Sequence, residues 1–222
     1  MVLASQLCLV ACGDDEPSRQ IDSGVQETTG ALLPFAEGNS WTYQVTGDGE
    51  QSTKVTTVGA LETVGGSGPN ASKQAFRVVT SKGEDDQTIS WQNVEGDRVV
   101  RYREQSFHAK TGGLEAEEHW VPHKLHIDAS AEHVARGASW LEEYEETKLE
   151  AGEADDTQTR RDPWTVDAVD QQVTVPAGTF RAIVFTKSGG SNQKVYWYVP
   201  GVGKVKETGG QTEELVSYQV AP

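Results

Sequence analysis

Four of the five histidines of this chain lie in one stretch, His119, His123, His126 and His133, with Glu117, Glu118 and Asp128 among them. Imidazole and carboxylate are ligands that zinc takes, and on a helix His119 and His123 would share a face at zinc-site spacing. Pro122 stands between them, and a helix interior does not accept proline. On a strand, His119 and His123 share a face with Val121 and Leu125, while His126 points the other way. His119, His123 and His126 are thus the metal candidates, and they need a further ligand from a neighbouring strand. The favoured reading is a packed or solvated histidine cluster, with no metal and no cofactor.

The densest charge is the run Glu142-Glu143-Tyr144-Glu145-Glu146, continued by Glu150, Glu153, Asp155 and Asp156. Carboxylates suit calcium, but no Asp-x-Asp-x-Asp-Gly loop is present. A solvated strand edge, charged against aggregation, accounts for the run. Neither Ser67 nor Ser191 has glycine on both sides at the two-residue spacing of a nucleophile elbow. No glycine-rich phosphate loop followed by Lys-Ser/Thr occurs. The chain reads as a non-enzyme. Its six tryptophans are Trp41, Trp91, Trp120, Trp140, Trp164 and Trp197. They are either core payload or the lining of a concavity for an apolar ligand, with Trp41, Trp91, Trp140 and Trp197 as the candidate ligand-face aromatics.

The elements that would carry these side chains belong to an ordinary globular chain. It has 222 residues, 36% hydrophobic residues and 23 Gly, enough for one packed domain. A net charge of −15 repels phosphate backbones, so nucleic acid is excluded as a partner. No apolar run reaches the ~20 residues of a membrane-spanning helix. Both cysteines, Cys8 and Cys12, lie at the N-terminus, so the body has no disulfide framework and no thiol nucleophile.

Residues 1–11 carry no charged side chain and suit the apolar core of a signal peptide. Leu9-Val10-Ala11-Cys12 resembles a bacterial lipobox. That resemblance implies cleavage before Cys12, thioether lipidation of its sulfur and acylation, for example by palmitate, of the new amino terminus. Two or more acyl chains hold a protein firmly at about 0.8 kcal/mol per buried CH₂. The missing basic n-region leads us to expect a start upstream of Met1 or a clipped N-terminus. By the same resemblance, Gly13 rather than Asp after Cys12 points to the outer membrane of the cell envelope. Residues 12–32 then form the lipidated cysteine and a disordered polar tether.

From residue 33 the chain breaks into short runs punctuated by Gly and Pro. Trp41–Val45, Phe180–Lys187 and Val195–Val199 read as strands. Gly47-Asp48-Gly49, Pro176-Ala177-Gly178 and Pro200-Gly201 read as turns. Residues 33–222 are expected to form a single all-β domain, an antiparallel curved sheet or open half-barrel with little helix. The text of the two halves, about 33–127 and 128–222, runs in parallel. Gly38-Asn39-Ser40-Trp41 matches Gly137-Ala138-Ser139-Trp140, and Ala75–Val79 matches Thr179–Ile183. Ile89-Ser90-Trp91 matches Val195-Tyr196-Trp197, and Gly96–Val99 matches Gly203–Val205. Two similar β-meanders are expected.

Leu33-Pro34-Phe35-Ala36-Glu37-Gly38-Asn39-Ser40-Trp41-Thr42-Tyr43, Val173–Phe180 and Val195–Lys206 followed by Glu214–Tyr218 appear in that order. Together they resemble an uncharacterised family of secreted bacterial lipoproteins. The resemblance covers residues 33–220 and implies a curved antiparallel sheet, distantly similar to lipoprotein-localisation factors and other envelope carriers. It brings no catalytic residues. The expectation is a lipid-anchored envelope module that binds rather than catalyses. Its partners would be the membrane through its anchor and a lipid or another envelope protein. The alternatives are a structural or interaction protein with no small ligand, and a histidine-rich metal protein.

Overall fold

The computed structural model describes residues 25–26, 29–83, 86–108, 111–150, 152–190 and 192–221. The run read as a signal peptide and the proposed lipidation site Cys12 lie outside the described residues. Thirteen strands and no helix occur among the described residues. They are β1 (Val25–Gln26), β2 (Ser40–Gly47), β3 (Glu50–Thr63), β4 (Gln74–Lys82), β5 (Asp86–Glu95), β6 (Arg98–His108) and β7 (Gly113–Asp128), then β8 (Ser139–Glu150), β9 (Asp156–Val175), β10 (Gly178–Lys187), β11 (Lys194–Val199), β12 (Gly203–Thr208) and β13 (Thr212–Gln219). The all-β, antiparallel class read from the short alternating runs is the class observed.

Neighbours in sequence are neighbours in the sheet from β2 to β13, and β13 returns to pair with β2. The curvature continues to full closure. β9 is the long strand that joins the ends of the ring, its first half pairing with β8 and its second half with β10. A sheet closed on itself has no free edge. Local bends come from register shifts at Trp91/Gln92, Val99/Val100 and Trp197/Tyr198. Each inserts an extra residue and sharpens the twist.

Twelve strands make six plus six, β2–β7 and β8–β13. The segments matched in sequence fall on strands six apart. Trp41 and Trp140 are the second residues of β2 and β8, and both pack on the inner core. Phe76 in β4 and Phe180 in β10 do likewise. Trp91 in β5 and Trp197 in β11 are each flanked by residues that line the barrel lumen, so both face outward.

Eight strands give a barrel that side chains fill, and a wider ring leaves more interior to occupy. Here the two poles are filled differently. The pole holding the starts of β2, β10 and β12 is packed with Trp41, Phe180, Phe185, Val199, Val205 and Leu215. The segment before β2 crosses this floor and buries Leu32 and Leu33. The Trp41 indole donates to the Val202 carbonyl at 2.6 Å. Asn39, almost fully buried, receives the Ala221 N–H at 2.8 Å and so ties the C-terminus to the same floor.

Two expectations need correction. The folded body begins before residue 33: β1 pairs in parallel with the start of β10, and the Ala31 carbonyl accepts the Gly201 N–H at 2.7 Å. This segment occupies the side of β10 that β11, which pairs only from Ile183 onward, leaves open. The acidic run is not wholly a solvated edge either: Glu142–Glu150 lies in β8, which pairs with β9 over 139–148 and with β7 from Glu145 onward, with Glu142, Tyr144 and Glu146 inward and Glu143 and Glu145 outward.

Phe180→Ala, at the fully buried floor, is expected to lower the unfolding free energy by about 3–5 kcal/mol. Leu141→Ser, at a position 56% exposed, should change it by less than about 0.5 kcal/mol. Guanidinium unfolding of the two variants checks both, and equal losses would disprove the floor as the core.

Candidate functional site

Above the apolar floor the lumen holds a cavity of about 910 Å³. It reaches the pole where β3 begins and β4 ends. There its lining includes Arg160 and Lys194, whose side chains are 44% and 46% exposed, so the cavity opens to solvent. Its depth is aromatic: Trp41, Tyr43, Trp164, Tyr196 and Tyr198. The rings form a stacked series, Trp140 on Trp164 at 5.7 Å and Trp164 on Tyr196 at 5.7 Å.

The upper walls are charged. Among the described residues, eight lysines and arginines line the cavity, against five acids, in a chain that has 19 of the former and 34 of the latter. The outside of this acidic protein thus surrounds an interior relatively rich in cations. On the wall from β11 to β4, Lys204 donates to both Glu207 and Glu213, the latter at 2.8 Å. Lys54 donates to both oxygens of Glu213 at 2.8 and 2.9 Å. Lys194 donates to Glu207 at 2.8 Å, and Lys82 to the Gln211 amide oxygen at 2.8 Å. Burial and the neighbouring Lys204 charge bring the Lys54 amine down to about 8, despite Glu213. Burial pushes the Glu207 carboxyl up, but Lys204 and Lys194 outweigh it and hold Glu207 well below the usual carboxylate range.

The opposite wall is a second network. Lys187 sits between Asp162 at 2.7 Å and Glu142 at 3.2 Å. Glu142 also accepts from the Trp164 indole at 2.9 Å and the Leu125 N–H at 2.5 Å. Glu146 takes Arg160 at 2.6 Å and the Trp120 indole at 3.0 Å. Burial and the Arg101 guanidinium lower the Lys124 amine.

The structure disperses the histidines. The β6–β7 pairing jumps between Arg101 and Arg103, and the Val121–Pro122 peptide is cis. His119 faces outward, its Nε2 2.8 Å from Glu117, which also accepts from Arg103 and Gln105. His123 lies 3.5 Å from Glu95. His126 points into the lumen, with Nδ1 2.8 Å from the Gln92 amide oxygen. Burial, then Arg101, Lys204 and Lys54, keep His126 neutral by lowering it well below its ordinary value. Among the described residues no group of three or more His, Cys, Asp or Glu side chains is placed to hold a metal.

The four candidate aromatics do not share one face. Trp41 lies at the lumen floor and Trp140 at its edge. Trp91 is outside, covered by the 64–73 loop, with Arg103 stacked over it at 4.3 Å and its indole donating to Glu62. Trp197 is also outside, under Lys206. The lysines and glutamates that line the lumen were not among the candidates read from the sequence.

No protein-family model matches this chain, and no curated protein does. Among solved structures, a candidate exported protein with YmcC-like fold from Bacteroides fragilis is similar at 12% identity, covering 86% of this chain and 99% of that one, with a TM-score of 0.48. A candidate lipoprotein from Parabacteroides distasonis is similar at 13% identity, covering 87% and 100%, with a TM-score of 0.38. At these scores neither likeness carries an argument about this chain.

Glu207→Gln removes one partner of the buried Lys204 and should cost about 3 kcal/mol of stability at pH 7. Glu207 is held low when folded, so its contribution is complete above about pH 4.3, its unfolded value, and fades below it. The gap between parent and variant should therefore narrow on acidification. Denaturant titrations at pH 7 and pH 3 check this, and a gap that widens in acid refutes the pairing.

Proposed function

We propose that this chain is a lipid-anchored protein of the bacterial cell envelope that holds a small amphipathic molecule in the lumen of its barrel and catalyses no reaction on it. The observation that carries the reading is the cavity of about 910 Å³, aromatic in its depth and open to solvent at one pole. Small-molecule sites occupy roughly 300–1,000 Å³ and combine an apolar lining with a few placed polar groups. The lipobox-like run ending at Cys12 supports the anchor, and Gly13 supports the outer membrane as its destination.

The described chain enters at the closed pole, where β1 meets the start of β10 and Ala31 meets Gly201. A lipid on Cys12 would thus hold the barrel by its floor, with the cavity mouth at the far pole. That arrangement suits exchange of the ligand with the surrounding compartment or with an envelope partner. The interior ion pairs favour a second reading, a structural or interaction protein whose lumen is a filled polar core.

Two experiments test the proposal. The neutral probe N-phenyl-1-naphthylamine should bind the parent protein at one site with enhanced fluorescence. Ser90→Trp, which places an indole in the lumen wall, should abolish that uptake while leaving the far-ultraviolet β spectrum unchanged. Uptake untouched by Ser90→Trp would place the probe elsewhere, and no uptake would favour the filled-core reading. For the anchor, cells supplied with labelled palmitate should label the parent and not Cys12→Ala, and equal absence of label would overturn it.

A further inference from the structure

The wall from β11 to β4 carries four lysines, Lys54, Lys82, Lys194 and Lys204, and two glutamates, Glu207 and Glu213. They form one continuous ladder. From the mouth inward, Lys82 meets Gln211, and the Gln211 amide donates to Glu213 at 2.9 Å. Glu213 holds Lys54 and Lys204, and Lys204 passes to Glu207, which holds Lys194 at the rim. Two carboxylates cannot neutralise four ammonium groups. Among the described residues, Lys82 has only the neutral Gln211 amide oxygen as its partner in this ladder. Across the lumen, His126 feels Arg101, Lys204 and Lys54 more strongly than it feels Glu207. Excess charge in a partly enclosed space is costly unless a counter-charge and hydrogen bonds complete it. In a chain of net charge −15, a cationic wall inside a cavity is a selective feature rather than a general property of the surface.

We propose that the ladder of Lys54, Lys82 and Lys204 is the head-group site of the lumen and takes the carboxylate or phosphate of an anionic amphiphile, whose apolar part lies on Trp164, Tyr196 and Tyr198. The assignment rests on the lumen being a ligand site and adds the chemical class of the ligand. The three amines supply charge-assisted hydrogen bonds to an anion, whereas an alcohol of the same chain length offers no charge. A cationic head is repelled. The rings below supply the apolar contact that an acyl or aryl tail requires, so the two parts of the ligand are recognised at two levels of one cavity.

The test is competition on the full chain, with N-phenyl-1-naphthylamine as the neutral reporter and four twelve-carbon competitors: dodecanoate, dodecyl phosphate, dodecanol and dodecyltrimethylammonium. One or both anions should displace the reporter at concentrations about tenfold or more below dodecanol, the effect of one charge-assisted hydrogen bond, and the ammonium should be the weakest. Which anion is stronger identifies the head group. Lys82→Gln, at the mouth, should remove most of the anion advantage while leaving reporter and dodecanol binding unchanged, which also shows that the lumen is intact. Reporter binding with dodecanol equal to both anions overturns the head-group assignment and leaves the lumen reading standing. Failure of both the reporter and direct calorimetric titration of dodecanoate overturns both.

Discussion

A sheet that closes on itself must fill its own inside, and every other feature of this protein follows from how it does so. The β13–β2 pairing closes the twelve-strand meander into a ring and creates an interior from pole to pole. Twelve strands enclose more volume than their inward side chains can occupy with hydrocarbon alone. The floor is solved by large rings and by the segment at residues 29–38, which crosses it. Asn39 is the tie that makes this possible. It joins the segment before β2 to the C-terminus through the Ala221 N–H.

The upper half of the lumen is solved with charge. Long lysine, arginine and glutamate side chains reach across the barrel and meet partners from other strands, as Lys54 of β3 meets Glu213 of β13 and Lys187 of β10 meets Glu142 of β8. Buried ion pairs of this kind add little net stability, because desolvation offsets the attraction, but breaking one is expensive. They fix register and keep the cavity polar where it opens. The same wall has more amines than carboxylates, and that imbalance separates a cavity suited to anions from a merely filled interior.

The strand punctuation was legible because turns need particular residues: Gly47-Asp48-Gly49 and Pro200-Gly201 sit where the strands reverse. The sixfold offset was legible too, since Trp41 and Trp140, and Trp91 and Trp197, occupy matching strands. Which face of a strand is inside was not. In β5 the apolar residues Ile89 and Trp91 suggest the inner face, but Thr88, Ser90 and Gln92 line the lumen while Trp91 is roofed by the 64–73 loop. Period-two alternation identifies two faces and says nothing about which one a closed sheet turns inward. The histidines follow the strand reading, with His119 outward and His126 in the lumen, while the register jumps of the β6–β7 pairing leave His126 beside Lys124 and Leu125, which also line the lumen.

The sequence by itself determined that the chain is all-β, that it is built of two similar runs of strands, and that its N-terminus has the pattern of a lipid anchor. Those properties are local, written in turn residues, alternation and a single apolar run beside a cysteine. The tertiary structure decided closure, the seating of residues 25–26 and 29–32 on the barrel, and the assembly of a lysine–glutamate ladder from residues as far apart as Lys54 and Glu213. Such contacts depend on which strand edges meet and on the register in which they meet, and both are properties of the ring as a whole rather than of any stretch of the chain.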